Sequence, residues 1–269
     1  MDLTTIREAL EEPHRFDIHV FDRLDSTNRY LYELGRRGAP QWTVAVAEQQ
    51  TAGRGRYQRR WASPPGVGLW FSLLLRPSLP IQEINLVNLF TAISLADFLS
   101  RTCQTTPWAP LDIRLKWPND LIVQNRKLSG ILLEGSFAGD RPEYLVVGIG
   151  LNVNHQEEDF PPELRERAVS LRMITGREWN REQLLAGFLE HYYETYHYYF
   201  PGRRQEVVEA YEKRLAFRNQ PITVEDARGR FSGVFRRLTA EGYLVVETEG
   251  KERIITTGDV FQNLFQNSS

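Results

Sequence analysis

One cysteine and two methionines in 269 residues leave little room for sulfur chemistry. Cys103 has no second cysteine to pair with, so an internal disulfide and every multi-cysteine metal site are excluded. Its position near the end of an apolar, helically spaced stretch favours packing over reactivity. The five histidines, at 14, 19, 155, 191 and 197, form no His-Glu-x-x-His or His-x-His pair, and no transition metal held by protein ligands is expected. No run approaches the ~18 uncharged apolar residues of a spanning helix. Met1-Asp-Leu-Thr lacks the basic start and apolar core of a signal peptide, so a cytoplasmic protein with no membrane partner is expected. There is no P-loop, no Gly-x-Ser-x-Gly elbow and no internal repeat. Lys+Arg 33 against Asp+Glu 35 gives a net charge of −2, too little of one sign to gather nucleic acid or anionic lipid over the whole surface.

What is present suits one large or two unequal globular domains: the chain is 41% hydrophobic and 25% charged. Its most unusual stretch is Glu48 to Trp61, where four arginines and two glycines crowd one loop between two apolar segments, Thr43 to Ala47 and Gly68 to Leu75. Both segments read as buried strands. Gly53 and Gly55 let the backbone approach a ligand, and Arg54 and Arg56 bring forks of donors matched to phosphate or carboxylate oxygens. Gly53-Arg-Gly-Arg-Tyr-Gln58 lacks the third glycine of a dinucleotide fingerprint and precedes a strand rather than a helix. On its own such a run is more often a solvated surface loop or a nucleic-acid contact than a small-anion site.

Along the chain, residues 1 to 14 predict an N-terminal helix or arm. Ile18 to Leu24 alternates like a strand, and Asp25-Ser26-Thr27-Asn28 supplies a run of N-cap residues before a helix at Tyr30 to Leu34. Ile84 to Cys103 carries apolar residues widely enough round a helix to be buried on more than one side. Asp112 to Trp117 alternates until Pro118 stops it. Leu121 to Val123 and Lys127 to Glu134 form a hairpin, and Tyr144 to Val153 is another buried strand. Helices are predicted from Pro161 to Ile174, Arg181 to Phe200 and Arg203 to Phe217, packed on one side of the sheet. From Pro221, short strands at 222–224, 231–238, 243–247 and 254–255 predict a small barrel, with the domain boundary near 218.

Excluding the usual nucleophile and metal arrangements leaves an arginine loop, Trp61, the pair Asn119-Asp120 and Lys127. Such a set suits transfer on a nucleotide phosphate by charge neutralisation without a protein nucleophile. Taken singly, one of residues 25 to 28 caps a helix and the rest are ordinary polar neighbours, and a lysine that leads a strand is most often solvated.

Taken together, Ser26-Thr-Asn28, Gln50, Gly53-Arg-Gly-Arg56 through Arg59-x-Trp61, Lys116-Trp-Pro-Asn-Asp120, Arg126-Lys-Leu-x-Gly-Ile131 and Gly148-x-Gly-x-Asn152 resemble the biotin protein ligases, in family order from about residue 20 to 155. The resemblance implies an α+β fold. A mixed β-sheet covered by helices, the biotin/lipoate ligase-like catalytic domain (1–217), would precede a small SH3-like β-barrel (218–269). It implies a reaction in two steps, in which biotin and Mg-ATP give biotinyl-5′-adenylate and a lysine of a biotin carboxyl carrier domain then takes the biotinyl group. The implied biotin site comprises Ser26, Thr27, Asn28, Gln50, Gly53, Arg54, Gly55, Arg56, Lys127 and Gly130. The implied ATP site comprises Arg54, Arg56, Arg59, Trp61, Lys116, Asn119, Lys127 and Asn152. Lys127, Arg54, Arg56 and Asp120 would carry the chemistry, with Mg2+ arriving on ATP near Asn119 and Asp120.

Two departures stand out. Gln58 occupies a loop position where the family usually has glycine, at a cost of about 1 kcal/mol if the backbone there is left-handed. Repressor-type members carry an N-terminal helix-turn-helix, whereas only about twenty residues precede the first predicted strand here, so an enzyme without DNA-binding activity is expected; a homodimer stays open. Three alternatives also stay open: a lipoate or octanoate ligase of the same fold, a biotin-responsive binding protein without activity, and a nucleic-acid-binding protein that uses Arg54 to Arg60.

Overall fold

The apolar strands between Asp17 and Asn152 build a single seven-stranded sheet, and the side on which each residue falls decides what the sheet can hold. The computed structural model describes residues 1–104, 111–200, 202–226 and 229–262. In chain order the first part comprises α1 (Leu3–Glu8), β1 (Asp17–Leu24), α2 (Thr27–Arg36), β2 (Thr43–Gln50), β3 (Gly68–Leu75), α3 (Asn85–Cys103), β4 (Arg114–Lys116), β5 (Asp120–Val123), β6 (Arg126–Ala138) and β7 (Arg141–Asn152). Then come α4 (Leu171–Thr175), α5 (Arg181–Tyr199) and α6 (Arg204–Lys213), followed by β8 (Pro221–Asp226), β9 (Gly229–Leu238), β10 (Leu244–Thr248), β11 (Lys251–Ile255) and β12 (Asp259–Gln262). The strand order is β1-β2-β3-β7-β6-β5-β4. The β1–β2 pair is parallel and spanned by α2, and the other neighbours are antiparallel.

One face carries Leu69, Phe71, Leu73 and Leu75 of β3 with Leu145, Val147, Ile149 and Leu151 of β7, and merges with α3, α5 and α6 into the main core. These are the odd-numbered positions of both strands, as a period of two requires. The even-numbered face is different. Near β1 it packs Ala45, Leu74, Tyr144 and Val146 against Leu31 of α2. Beyond the N-terminus of α2 the same face carries Gly148, Gly150 and Gly130, so the sheet there has a floor without side chains.

The C-terminal unit is a five-stranded antiparallel sheet in the order β11-β10-β9-β8-β12. Its last strand, Asp259–Gln262, was not among the predicted ones: four residues between a glycine turn and a polar tail are too short for a visible alternation. The final seven positions of the expected domain lie outside the described residues. The unit docks through polar bonds as well as the shared core: Trp117 Nε1 and Asn85 Nδ2 both donate to Gly242 O, at 3.0 and 2.9 Å.

The expected helix from Pro161 to Ile174 is corrected. Only a 3-10 turn at Pro162–Leu164 and the five-residue α4 are helical there. Between them the backbone serves another partner: Lys127 N–H donates to Arg167 O at 2.7 Å and Val169 N–H to Lys127 O at 3.0 Å. Groups committed to the start of β6 cannot also close helical turns.

Candidate active site

Ser26 caps α2, its Oγ accepting from Arg29 N–H at 3.5 Å, so the expected cap cluster forms where β1 ends. Thr27 and Asn28 then point into the sheet. The Thr27 N–H donates to Gln50 Oε1 at 2.9 Å, and Gln50 Nε2 donates to Ser63 Oγ at 3.1 Å. Ser72 Oγ donates to Asn28 Oδ1 at 2.6 Å, and the single proton of the Thr27 hydroxyl is shared between Ser72 Oγ at 2.7 Å and Gln50 Oε1 at 3.1 Å. Asn28 Nδ2 passes the chain on to Glu134 at 2.9 Å and also bonds Leu132 O. Asn28 is thus spent on the protein and braces the wall. Gln50, with one amide hydrogen free of these bonds, and Ser26, with its hydroxyl proton, keep capacity for a polar ligand. Ser63, Ser72 and Glu134 complete this network without having been singled out in the sequence; they stand outside every motif and on three different segments.

Ser26, Thr27, Asn28 and Gln50 line one side of a cavity of about 680 Å3 that also receives Arg54, Gly55, Arg56, Arg59, Trp61, Lys116, Asn119, Asp120, Lys127, Gly130 and Asn152. Of the expected site residues, only Gly53 stays out of the lining: it forms the base of the loop, where a Cβ would stand 2.6 Å from Trp61 O. The Trp61 indole lies on the glycine floor. A Cβ at position 150 would come within 2.4 Å of it and one at 130 within 2.8 Å, so no larger residue fits beneath the ring. Its Nε1 is buried with no hydrogen-bond partner among the described residues. The Lys127 ammonium stands 5.1 Å from the ring centroid and 2.6 Å from Asp120 Oδ1.

Lys127, on β6, and Asp120, on β5, meet because the two strands are hairpin neighbours. Asn119 Nδ2 donates to Ile131 O at 2.6 Å and Ile131 N–H returns to Asn119 O at 2.9 Å, which fixes the turn that holds Asp120. Asn152 Nδ2 donates to Lys127 O and Val169 O, both at 3.2 Å, so its Oδ1 is the atom left to accept from a ligand amine. Burial lowers the Lys116 pKa; Asp120 opposes that shift and Lys127 adds to it.

The arginine loop is a narrow hairpin. Trp61 N–H donates to Gly53 O at 2.9 Å and Gly55 N–H to Arg59 O at 2.7 Å. At its tip both Tyr57 and Gln58 are left-handed, with φ of 52° and 59°. The glutamine therefore occupies the conformation that glycine adopts most easily, and the cost of about 1 kcal/mol applies. The arginines do not face one another unshielded: Arg54 lies 3.5 Å from Glu134, and Arg56 and Arg59 share Asp259 at 3.3 and 2.7 Å.

His155 was assigned no role from the sequence, yet it lines the cavity, is 1% exposed and stacks on Phe160 at 4.7 Å with the rings 10° apart. Burial pushes its pKa down to about 4, against a smaller upward pull from Asp159. No spacing rule separates such a histidine from a surface one.

The chain resembles proteins whose chemistry is known. A profile of the biotin/lipoate A/B protein ligase family matches residues 20–152, and one of the biotin protein ligase C-terminal domain matches residues 218–261. The bifunctional ligase/repressor BirA of Bacillus subtilis is 32% identical over 239 residues, covering 89% of this chain and 72% of that protein. The biotin–[acetyl-CoA-carboxylase] ligase of Paracoccus denitrificans is 30% identical over 246 residues, covering 89% and 98%. The structure of the Aquifex aeolicus biotin protein ligase in complex with biotin and ATP superposes with a TM-score of 0.76 at 30% identity, covering 91% of this chain and 97% of that one. With the fold, the glycine floor and the arginine loop in place, this agreement along nearly the whole chain shows that it belongs to the biotin/lipoate A/B protein ligase family, among the biotin protein ligases.

Proposed function

We infer that the chain is an ATP-dependent ligase that joins biotin to a lysine of a biotin carboxyl carrier domain. The observation that carries this reading is the place of Lys127. Its ammonium lies in one cavity with an uncharged hydroxyl and amide wall (Ser26, Thr27, Gln50) and an arginine-lined mouth. A neutral ureido ring has donors and acceptors to satisfy, which suits the wall, and a triphosphate suits the mouth. The biotin carboxylate then meets the α-phosphate at Lys127.

In the first step a carboxylate oxygen attacks the α-phosphorus in line, the bond to the bridging oxygen breaks, and pyrophosphate leaves. Negative charge accumulates on the transferring phosphoryl group, and Lys127 is placed to neutralise it without accepting or losing a proton. Arg54 and Arg59 reach the phosphates from the loop that Arg56 braces, with Lys116 in the same cavity. Trp61 offers adenine a flat neighbour and Asn152 Oδ1 an acceptor for its exocyclic amine. Mg2+ travels with ATP; the amide oxygen of Asn119 and the second carboxylate oxygen of Asp120 are the hard donors at hand, and the ion would offset phosphate charge. In the second step the carrier amine attacks the acyl carbon and AMP departs, with Asp120 oriented to accept a hydrogen bond from that amine.

We place the domain boundary between residues 217 and 218, just after the bridge of Leu215 to Leu115. We read the enzyme as cytoplasmic and its macromolecular partner as a carrier protein rather than DNA. The net charge of −2 supplies no field for nucleic acid.

Incubation with biotin, Mg-ATP and a carrier domain, followed by mass spectrometry of the carrier, tests the reading. One biotinyl group should be added, only with ATP, and lipoate should not compete. No addition, or transfer of lipoate instead, overturns it.

A further inference from the structure

We propose that the turn Thr257-Gly258-Asp259 of the C-terminal domain latches the arginine loop over the cavity, with Asp259 as the positioning residue that keeps the acyl-adenylate from escaping. The inference rests on the ligase reading above for its chemistry, and on geometry alone for the latch.

The loop has little to hold itself. Three backbone bonds lie within the hairpin, one of them across its tip from Arg59 N–H to Arg56 O; two left-handed residues form the tip, and Tyr57 there is 54% exposed. Most of what fixes the tip comes from about 200 residues further along the chain. Arg56 Nη1 donates to Gly258 O at 2.9 Å and to Asp259 Oδ1 at 3.3 Å. Arg56 Nη2 donates to Thr257 Oγ1 at 3.3 Å and to Tyr57 OH at 3.1 Å, and the same threonine oxygen lies 3.1 Å from Tyr57 OH. Arg59 Nη1 reaches the other Asp259 oxygen at 2.7 Å. One carboxylate thus joins two guanidiniums on opposite sides of the hairpin tip, hydrogen-bonded to Arg56 through one oxygen and ion-paired with Arg59 through the other.

The turn itself is fixed. Gly258 has φ +156°, and a Cβ there would meet Glu225 O at 2.9 Å, so the carbonyl that Arg56 uses is presented by a backbone only glycine takes readily. Asp259 opens β12, which is paired along its length with β8. The anchor is held by strand pairing, and the tip of the loop is held by the anchor.

Arg56 then acts mainly as a strut, because both terminal nitrogens are engaged. Arg54, Arg59, Lys116 and Lys127 are the cations left with capacity for phosphate oxygens. Lifting the loop would expose a mixed anhydride to water and to any amine, so the strength of the latch sets how long the intermediate stays.

The test compares the full chain with Asp259→Ala and Asp259→Asn. Three quantities are read: pyrophosphate released in a single turnover, biotin appearing on an unrelated lysine-rich protein, and the rate of tryptic cleavage after Arg54 to Arg60 without ligands. For Asp259→Ala, off-target labelling per adenylate made should rise about tenfold and loop cleavage by a similar factor, with the KM for biotin unchanged. Asp259→Asn, which keeps an acceptor but loses the charge, should fall between. Ratios and cleavage rates within twofold of the parent in a variant with the parent melting temperature overturn the latch. Should Asp259→Ala fail to fold, Asp259→Asn and Thr257→Val carry the same comparison. A parent that releases no pyrophosphate refutes the ligase reading instead, and the cleavage rates still decide the latch.

Discussion

Replacing Lys127 by alanine removes, among the described residues, the one cation that stands against both Trp61 and Asp120. In the parent the ammonium is 2.6 Å from Asp120 Oδ1 with about a third of the side chain exposed, at 35%. An ion pair that is partly open to solvent contributes about 1 kcal/mol to stability, and Lys116 remains near Asp120 to offset part of the loss. The melting temperature should therefore move by no more than about 2–4 °C, the shift per kcal/mol typical of a chain this long. The effect on the reaction is larger. A preorganised donor aimed at developing phosphoryl charge is worth about 2.7–4 kcal/mol, or about a hundred- to a thousandfold in rate. Biotin itself should bind about tenfold more weakly, the loss of one charge-assisted contact to its carboxylate. The assay is single-turnover pyrophosphate release at saturating biotin and Mg-ATP, beside calorimetric titration of biotin. The double variant Lys127→Ala/Asp120→Asn separates the two effects: removing the stranded carboxylate should restore the melting temperature and leave the rate low. Lys127→Arg should recover little, since the planar fork needs more room than Gly130 and Trp61 leave. Pyrophosphate release by Lys127→Ala within threefold of the parent would refute the assignment.

Gln50→Ala should weaken biotin binding by about 1–3 kcal/mol and leave ATP binding unchanged, because Thr27 N–H and Ser63 lose their partner at the neutral end of the cavity; equal loss of both ligands on titration would mean that the wall has collapsed. Arg56→Gly removes four hydrogen bonds and loosens the loop backbone. Free biotinyl-adenylate should then leave about ten- to a hundredfold faster, and unchanged labelling of a bystander protein with synthesis intact would count against this. His155 has a folded pKa of about 4 against an ordinary 6.5, so below pH 6.5 the unfolded chain binds the proton that the folded chain refuses. Its contribution to stability is complete above pH 6.5 and is lost as pH falls towards 4. His155→Phe should flatten the melting temperature over that interval, and an identical slope in parent and variant would show that another group sets it.

How much could be read from the residues depended on the range of each interaction. The apolar, buried strands β2, β3 and β7, the cap cluster before α2 and the long buried helix α3 are local matters, and they appear close to where their patterns place them. The motif residues were legible as a set because their order along the chain is itself information, even where each residue alone was ambiguous. The left-handed Gln58 was legible too, as a departure from the family's glycine, though only the backbone angles decided that the strain is present.

Other features depend on which segments lie side by side, and a one-dimensional pattern does not carry that. Residues 161–174 have enough helix formers to suggest a helix, but their backbone bonds to Lys127 instead, a partner more than thirty residues earlier in the chain. Asn28 reads as a ligand group until β3 and β6 bring Ser72 and Glu134 to its two ends. Asp259 is one acidic residue in a short strand, and its importance appears only when the C-terminal sheet sets it between Arg56 and Arg59. The sequence by itself determined the chemical inventory: neutral hydrogen-bonding groups, a glycine floor, a basic loop and a lysine. The tertiary structure decided which of those groups are spent on one another and which remain for a ligand, because a hydrogen bond depends on atoms meeting within about 3 Å and only folding brings them there.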